Sequence, residues 1–125
     1  MKKISIVIPV YNEQDNLKEF HKRITAIMND TGYDYNLVFV DDGSKDSSAF
    51  ILKQLVEEDE HVEAYLLSRN YGHQMALTCG LDNADGDAVI TMDGDLQHPP
   101  ELLPELIRLW KKWKGKGISF WGYSG

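Results

Sequence analysis

Asp93, Gly94 and Asp95 directly follow the apolar run AVITM at 88–92. An unpaired carboxylate is costly to bury, so one at the end of a buried strand usually binds a metal ion, pairs with a cation or takes up a proton. Mg²⁺ and Mn²⁺ prefer oxygen ligands and often bridge a carboxylate to substrate phosphates. Gly94 would let the backbone approach such a ligand closely. The same tripeptide also occurs in solvated turns, so its surroundings must decide.

Two further acidic segments follow other predicted strands. PVYNE at 9–13 comes after the first strand, and DDGS at 41–44 comes after the second. In a parallel sheet the carboxyl ends of the strands lie at one edge, where α/β proteins bind their ligands. Each segment alone is typical of a turn. Together with Asp93 and Asp95 they place five acidic residues at that edge, which favours a site for a cation and its ligand.

Strand-like and helix-like segments alternate along the chain and would position these side chains. Strands are predicted at 4–8, 37–40, 62–67 and 88–92. A helix is predicted after each strand from apolar residues at helical spacing. The first two helices carry Leu17, Phe20, Ile24 and Ile27, ending near Gly32, and Phe50, Leu52, Leu55 and Val56, after N-cap candidates at 44–48. The last two carry Met75, Ala76, Leu77 and Leu81, a helix that Gly80 weakens, and Leu102, Leu103, Leu106 and Leu109, a helix that Pro99 and Pro100 open. This order predicts an α/β fold with a mainly parallel sheet and right-handed crossovers.

Composition and charge narrow the class of protein. The chain has 125 residues, enough for one domain with its own core, and is 42% hydrophobic and 26% charged. A net charge of -7 argues against nucleic-acid binding, which depends on Lys and Arg. The single cysteine, Cys79, excludes an internal disulfide and a cysteine-based zinc site, and it suits a reducing cytoplasm. The apolar run after Lys2 and Lys3 is expected to be the first strand and not a signal peptide.

The common phosphate-binding loops are absent from the sequence. No Gly-x-Gly-x-x-Gly follows the first strand, and no Gly-Lys-Ser/Thr loop occurs. A phosphate at this edge would therefore need a metal ion, with Asp93 and Asp95 as its ligands.

Four motifs, taken in order, carry a resemblance to a known family. They are SIVIPVYNE at 5–13, VDDGS at 40–44, SRNYGHQMA at 68–76 and MDGDLQHPP at 92–100. Their sequence and spacing resemble those of family-two glycosyltransferases with the GT-A fold, and DGDLQHPP is most similar to the polyprenyl-phosphate sugar synthases. The resemblance implies a Rossmann-like GT-A nucleotide-sugar-binding domain at 1–110, followed by a basic, tryptophan-containing tail at 111–125.

The resemblance also implies which residues hold the nucleoside. Pro9, Tyr11 and Glu13 match the loop that holds the base and ribose, although Glu13 could equally complement a helix dipole. Val40 and Asp42 match the position at which a carboxylate reads a ring N–H. By the same comparison the neighbouring Asp41 supports the loop.

Around the diphosphate, the resemblance makes Asp93 and Asp95 the catalytic ligands of Mg²⁺ or Mn²⁺. Gln97 matches an auxiliary position near the metal, and Gly94 lies where the backbone passes close to the nucleotide. For Arg69, phosphate neutralisation and an exposed salt bridge are both open, and His98 could ligate metal or fix a turn. The remaining histidines His21 and His73 are expected to be structural or surface residues.

The implied reaction transfers a sugar from a UDP- or GDP-sugar, UDP slightly favoured, to a polyprenyl phosphate by metal-assisted inverting displacement. Such relatives continue well past this length, so we expect this chain to be the donor-binding part, without the general base or the acceptor-binding residues. We expect the protein to lie in the cytoplasm or at the cytoplasmic face of the membrane. The alternative is a non-catalytic α/β module, nucleotide-binding or receiver-like, with Asp41 or Asp42 as phosphoacceptor.

The tail leaves two interpretations open. Five basic residues follow Glu105 and cluster with all three tryptophans: Arg108, Lys111, Lys112, Lys114 and Lys116, with Trp110, Trp113 and Trp121. Basic residues mixed with tryptophan can mark a membrane-surface helix. Alternatively, a helix ends here with lysines that complement its dipole, before a weak strand at 118–123. Exposed tryptophans would also favour self-association through this part.

Overall fold

The computed structural model describes residues 2–94 and 99–113. Its elements, in chain order, are β1 (Lys3–Val10), α1 (Leu17–Thr31), β2 (Asp34–Asp41), α2 (Ser48–Glu58), β3 (Val62–Leu66), α3 (His73–Asn83), β4 (Ala88–Thr91), a single 3-10 turn (Pro100–Leu102) and α4 (Leu103–Trp113). The predicted alternation of strands and helices is confirmed.

The four described strands form one parallel sheet in the order β3-β2-β1-β4. Ile4 of β1 pairs with Tyr35 of β2 on one side and with Ala88 of β4 on the other. Because all four strands run the same way, the segments that follow them lie at one edge, as the sequence predicts.

Strand β1 continues through Pro9, although the sequence places the strand end at Ile8. Pro9 pairs with Val40 of β2. On the other side, the last pair between β1 and β4 is Val7 with Thr91. Pro9 lies beyond that pair, so its missing N–H removes no hydrogen bond between those two strands.

The main core lies on one face of the sheet, where alternate strand residues pack against α1, α2 and α4. Its fully buried members are Ile4, Ile6, Ile8, Leu17, Phe20, Ile24, Met28, Leu37, Phe39, Leu52, Met92 and Leu103. Helix α1 ends as predicted, because Gly32 takes the left-handed conformation at its C-cap (φ 76°).

Helix α3 covers the other face, and it packs through small residues. A Cβ on Gly80 would lie 2.3 Å from Cγ1 of Val7, so the helix approaches β1 as closely as only glycine permits. Ala76 is also buried, whereas Met75 is 51% exposed. The prediction that Met75 belongs to the buried face of this helix is therefore wrong. Gly80, which was expected only to weaken the helix, is where the helix packs against β1.

Helix α2 departs from its predicted face in a similar way. Leu52 and Leu55 are buried, but Phe50 is 62% and Val56 40% exposed. The N-cap of the helix is Ser47, within the predicted segment 44–48, and the cap makes no side-chain hydrogen bond. The backbone N–H of Ser48 instead donates to Oδ1 of Asp46 (2.8 Å), a local turn that leads into the helix.

A row of polar side chains crosses the sheet on the face that α3 covers. The Ser5 hydroxyl donates to Oδ1 of Asn36 (2.7 Å) and accepts a hydrogen bond from the Gly86 backbone N–H (2.8 Å). Asn36 in turn donates to Oε2 of Glu63, and the Tyr65 hydroxyl donates to Oε1 of the same carboxylate (3.2 Å). We call these five residues the polar row.

Helix α4 runs across the expected domain boundary at residue 110. Trp110 is half-buried and meets the Tyr33 ring edge-on, with centroids 5.9 Å apart. Lys111 and Lys112 lie in its last turn, where positive charge complements the helix dipole. Residues 114–125, with the predicted strand at 118–123 and Trp121 of the expected self-association surface, lie outside the described residues. None of the helices in the described ranges is long and apolar enough to cross a bilayer.

Candidate functional site

A cavity of about 340 Å³ opens at the carboxyl edge of the sheet. The loops after β1, β2, β3 and β4 all contribute to it. Its lining residues are Pro9, Val10, Tyr11, Glu13, Asp42, Asn70, Gly72, His73, Ala76, Asp93 and Gly94. The structure therefore brings together most of the described residues that the sequence singled out: Pro9, Tyr11, Glu13, Asp42, Asp93 and Gly94.

The loops after β1 and β2 are held together by five side-chain-to-backbone hydrogen bonds, which we call the clasp. The bonds run from Asn12 N to Ser44 Oγ, Glu13 N to Ser48 Oγ, Gln14 N to Asp46 Oδ2, Lys45 N to Asn12 Oδ1 and Ser47 N to Gln14 Oε1, at 2.8 to 3.2 Å. Asn12 has φ 54°, a left-handed conformation that asparagine tolerates better than most residues. The clasp fixes the wall of the cavity that carries Tyr11 and Glu13.

Tyr11 and Glu13 differ in how firmly they are held. Tyr11 is 40% exposed, so its ring is accessible beside the cavity. The Glu13 carboxylate accepts a hydrogen bond from Nδ2 of Asn16 (2.8 Å), and the Glu13 carbonyl accepts from the backbone N–H of Leu17 (3.1 Å). Glu13 thus lines the cavity and supports the start of α1, so both interpretations of this residue are compatible with its position.

The carboxylate of Asp42 anchors the loop that follows β3. Its Oδ1 accepts from the backbone N–H of Tyr71 (2.8 Å) and Gly72 (3.3 Å), and its Oδ2 accepts from Gly72 (3.0 Å). Asp42 is only 4% exposed, and these bonds compensate for its burial. The residue therefore fixes the backbone that leads into α3.

The same two loops also touch through their backbones. Gly43 has φ 69°, and a Cβ there would lie 2.2 Å from the carbonyl carbon of Arg69. The Arg69 guanidinium lies 4.4 Å from the centre of the Tyr71 ring, a cation–π arrangement that neither open interpretation of Arg69 foresaw. A hydrogen bond from Ser68, with the nearby guanidinium, lowers the pKa of the Tyr71 hydroxyl.

At the end of β4, Asp93 and His73 face each other. Nε2 of His73 lies 3.1 Å from Oδ1 of Asp93, and the side chains are 49% and 15% exposed. Gly94 is buried next to them, and a Cβ there would meet Ile8 and Val10 at ordinary contact distances of 3.4 and 3.7 Å. The cavity thus holds a partly buried carboxylate with an imidazole partner.

Val40 and Asp41 lie outside the lining. The Val40 side chain is fully buried and faces Gly80 of α3. Asp41 accepts the Ser44 backbone N–H at Oδ2 (3.1 Å), which agrees with a loop-supporting role. Its buried Oδ1 has no hydrogen-bond partner among the residues that the structure describes.

The expected metal site is described only in part. Asp95, Gln97 and His98 lie outside the described residues, and the residues described here contain no group of three metal-binding side chains. The Asp93 carboxylate lines the cavity and offers the oxygen ligand that Mg²⁺ and Mn²⁺ prefer. The chemistry of the described donor therefore fits such an ion.

His73 lines the cavity although the sequence did not single it out as a site residue; its side chain is 49% exposed, in keeping with the expected surface histidine. Asn70 also lines the cavity without having been predicted. The sequence held a signal for His73 and Asn70, because both follow β3 and therefore lie at the same edge of the sheet as the other site residues. Gly72 also marks the start of the next helix, since it directly precedes the first residue of α3.

Comparison with known proteins identifies the family. The sequence model of Glycosyl transferase family 2 matches residues 5–119. The uncharacterized glycosyltransferase YkcC of Bacillus subtilis is 47% identical over 108 residues, covering 86% of this chain and 33% of that protein. The undecaprenyl-phosphate 4-deoxy-4-formamido-L-arabinose transferase of Pseudomonas fluorescens is 49% identical over 105 residues, covering 83% of this chain and 31% of the relative. The chain spans about a third of the length of these curated relatives.

Solved structures agree on the fold. The mannosyltransferase PcManGT from Pyrobaculum calidifontis, in complex with GDP-Man and Mn²⁺, superposes with a TM-score of 0.72 at 20% identity, covering 87% of this chain and 32% of that one. S. aureus TarS in complex with UDP-GlcNAc gives 0.69 at 20% identity, with 90% and 32% covered. The fold is that of the GT-A glycosyltransferases, which leaves the receiver-like alternative without support. The chain belongs to glycosyl transferase family 2.

Proposed function

We propose that this chain binds a UDP-sugar, and that it is the donor-binding part of a transferase that moves the sugar to a polyprenyl phosphate at the cytoplasmic face of a membrane. The observation that carries the proposal is the convergence of Tyr11, Asp42 and Asp93 on one cavity at the carboxyl edge. The acceptor is inferred from the relative in Pseudomonas fluorescens, whose name specifies an undecaprenyl-phosphate transferase.

Each of these residues would meet a different part of the donor. The exposed Tyr11 ring can lie against the base or ribose, and Glu13 can accept hydrogen bonds from ribose hydroxyls. Asp93, which lines the cavity, would hold Mg²⁺ or Mn²⁺ together with Asp95 and Gln97, as the family motif implies. When bound, such an ion stabilises the negative charge that grows on the departing diphosphate.

The transfer would proceed by direct displacement with inversion. An oxygen of the acceptor phosphate forms a bond to the anomeric carbon while the bond from that carbon to the diphosphate oxygen breaks, and the bonding electrons leave with the nucleoside diphosphate. Because the acceptor phosphate is already ionised, no proton has to be removed from it. The chain's own contribution would be to orient the donor and to hold its diphosphate end.

The hydrogen bonds of Asp42 favour uridine over guanosine. A carboxylate offers about four acceptor positions, and the loop presents two N–H groups to them: the Tyr71 N–H donates to Oδ1, and the Gly72 N–H is shared between Oδ1 and Oδ2. Oδ1 thus already contacts both N–H groups, and Oδ2 is the oxygen with room for a donor from the base. Uracil presents a single ring N–H, whereas guanine presents two adjacent donors that call for one acceptor on each oxygen.

Thermal unfolding of the 125-residue chain with UDP or GDP, each with and without Mn²⁺, tests the proposal. A ligand that binds only the native state adds roughly 2.7 kcal/mol at a hundred times its dissociation constant. We expect UDP with Mn²⁺ to raise the Tm most. No shift with either nucleotide in a cooperatively folded sample would overturn the donor site, and a larger shift with GDP would overturn the base assignment.

Two substitutions separate the ends of the donor. Asp95→Ala should abolish the Mn²⁺-dependent part of the shift, whereas Asp82→Ala, at an exposed position near the end of α3, should leave it intact. Asp42→Asn should weaken UDP binding with and without Mn²⁺, because it removes a carboxylate oxygen both from the base and from the loop. If Asp95→Ala kept the full shift, the metal assignment would be wrong.

A further inference from the structure

We propose that His73 is a positioning residue for Asp93: its imidazole holds the carboxylate in the orientation that a divalent cation requires. This inference rests on the proposed function, since it concerns the same cavity. Nothing in the sequence motifs marks His73 for such a role; its place in the fold does.

The contact itself defines the role of each partner. Nε2 of His73 lies 3.1 Å from Oδ1 of Asp93. A carboxylate can only accept hydrogen bonds, so Nε2 must carry the proton and donate it. The Asp93 side chain is 15% exposed and that of His73 is 49% exposed. The imidazole therefore approaches from the open side of the cavity, while the carboxylate stays in its wall.

The position of His73 is set by elements that are themselves fixed. His73 is the first residue of α3, and the preceding Gly72 is held by its backbone N–H to the Asp42 carboxylate. Gly72 has φ 105°, a conformation that other residues rarely adopt, and its carbonyl accepts the Ala76 N–H (3.2 Å). The loop after β2, through Asp42, thus fixes where α3 begins. The start of α3 in turn places the His73 imidazole next to Asp93 at the end of β4.

Such an outer contact matters for a metal ligand. A ligating carboxylate that is also hydrogen-bonded keeps one orientation, so less freedom is lost when the ion binds. Loss of such a partner typically lowers metal affinity or activity about 10- to 100-fold. Nε2 of His73 cannot itself ligate the ion in this arrangement, because it carries the proton that it donates to Asp93.

Isothermal titration of the 125-residue chain with UDP, at a fixed Mn²⁺ concentration below saturation and in EDTA, tests the role. His73→Ala should weaken UDP binding in Mn²⁺ by about 10- to 100-fold and leave binding in EDTA unchanged. His73→Gln should restore most of the affinity, because the glutamine amide nitrogen lies the same number of bonds from the backbone as Nε2. His73→Asn, whose amide is one bond shorter, should behave like His73→Ala, and it carries the test if the alanine variant does not fold.

Gln74→Ala, an exposed neighbour in the same helical turn, is the matched control and should not change UDP binding. In an Asp93→Ala background, His73→Ala should have no further effect, because the acceptor of its hydrogen bond is already gone. Unchanged binding of His73→Ala in Mn²⁺, an equal loss in EDTA, or a glutamine variant as weak as alanine would each overturn the assignment. An unsubstituted chain that binds no UDP, or binds it without Mn²⁺ dependence, would overturn the proposed function itself and the assignment with it.

Discussion

Ser5 and Asn36 share a 2.7 Å hydrogen bond between adjacent strands in the interior of the protein. They are 0% and 4% exposed, and they face each other in register across β1 and β2. The bond is the centre of the polar row, since Ser5 also accepts the Gly86 N–H and Asn36 also donates to Glu63. The main effect of such a buried hydrogen bond appears when one partner is removed, because the other polar group is then buried without a hydrogen bond and destabilises the fold.

Ser5→Ala should therefore lower the free energy of unfolding by about 1–3 kcal/mol, because it leaves Oδ1 of Asn36 and the Gly86 N–H without a partner. Urea denaturation measures the change. Ser47→Ala, at the exposed N-cap of α2 where the hydroxyl makes no capping hydrogen bond, should change it by less than about 0.5 kcal/mol. Equal effects of the two substitutions would mean that the polar row contributes nothing specific.

Gly43→Ala should destabilise the protein for two reasons. The left-handed backbone (φ 69°) costs an alanine about 1–2 kcal/mol. The new Cβ would also lie 2.2 Å from the backbone of Arg69, which adds about 1–3 kcal/mol of overpacking. Gly32→Ala is a matched control, since Gly32 has φ 76° and nothing within 4 Å of its Cβ position. If urea denaturation gave the same loss for both variants, the contact between the two loops would be irrelevant to stability.

Gly80→Ala sets helix propensity against packing. Alanine is favoured over glycine in a helix by about 1 kcal/mol, but its Cβ would meet Cγ1 of Val7 at 2.3 Å. Overpacking of about 1–3 kcal/mol should prevail, so we expect the Tm to fall. In a Val7→Ala background, where that methyl group is absent, the same change should lower the Tm by less, since the nearest remaining neighbour, Cγ2 of Val40, lies at 3.3 Å. A rise in Tm in the unaltered background would contradict the close packing of α3 on β1.

Asp59 should make stability depend on acid pH. Burial alone would raise the pKa of this carboxyl, but hydrogen bonds from the His61 backbone and from the His21 and His61 side chains lower it below 3.8. A lowered native pKa means that the unfolded chain binds the proton more readily. The stabilisation is therefore fully present above the unfolded value of about 3.9, and it is lost as pH falls through the lower native value.

Urea denaturation from about pH 6 to pH 2.5, spanning the ordinary aspartate pKa, measures this dependence. The difference in unfolding free energy between the unaltered chain and Asp59→Asn should stay constant above about pH 5 and shrink below about pH 4. Asp82→Asn, at an exposed position, serves as the control. A constant difference down to the lowest pH would show that the Asp59 carboxylate has an ordinary pKa.

Much of the fold could be predicted from the sequence because its signals are local. Apolar, β-branched runs identified all four described strands, and Gly32 marked the end of α1. The sequence predicted less well which residues of a helix are buried. Periodicity shows which residues share a face, but not how far the sheet extends beneath it, so Phe50 and Met75 were wrongly expected in the core.

The site was predictable where residues follow strands and unpredictable where two loops meet. Tyr11, Asp42 and Asp93 lie at the cavity because the parallel sheet brings the strand ends to one edge. The contact between His73 and Asp93 depends on where α3 begins relative to β4, which no local pattern encodes. Likewise, nothing in the sequence showed that the Asp42 carboxylate would bind the backbone of Tyr71.

The clasp between the loops after β1 and β2 has a consequence for how a ligand would be received. Its five hydrogen bonds and the left-handed Asn12 hold one wall of the cavity in place through contacts within the chain itself. The conformational entropy of those residues is lost when the chain folds, so binding need not order them again. A nucleotide should therefore meet this wall as a rigid surface, and changes such as Asn12→Gly should act mainly by making binding entropically more costly.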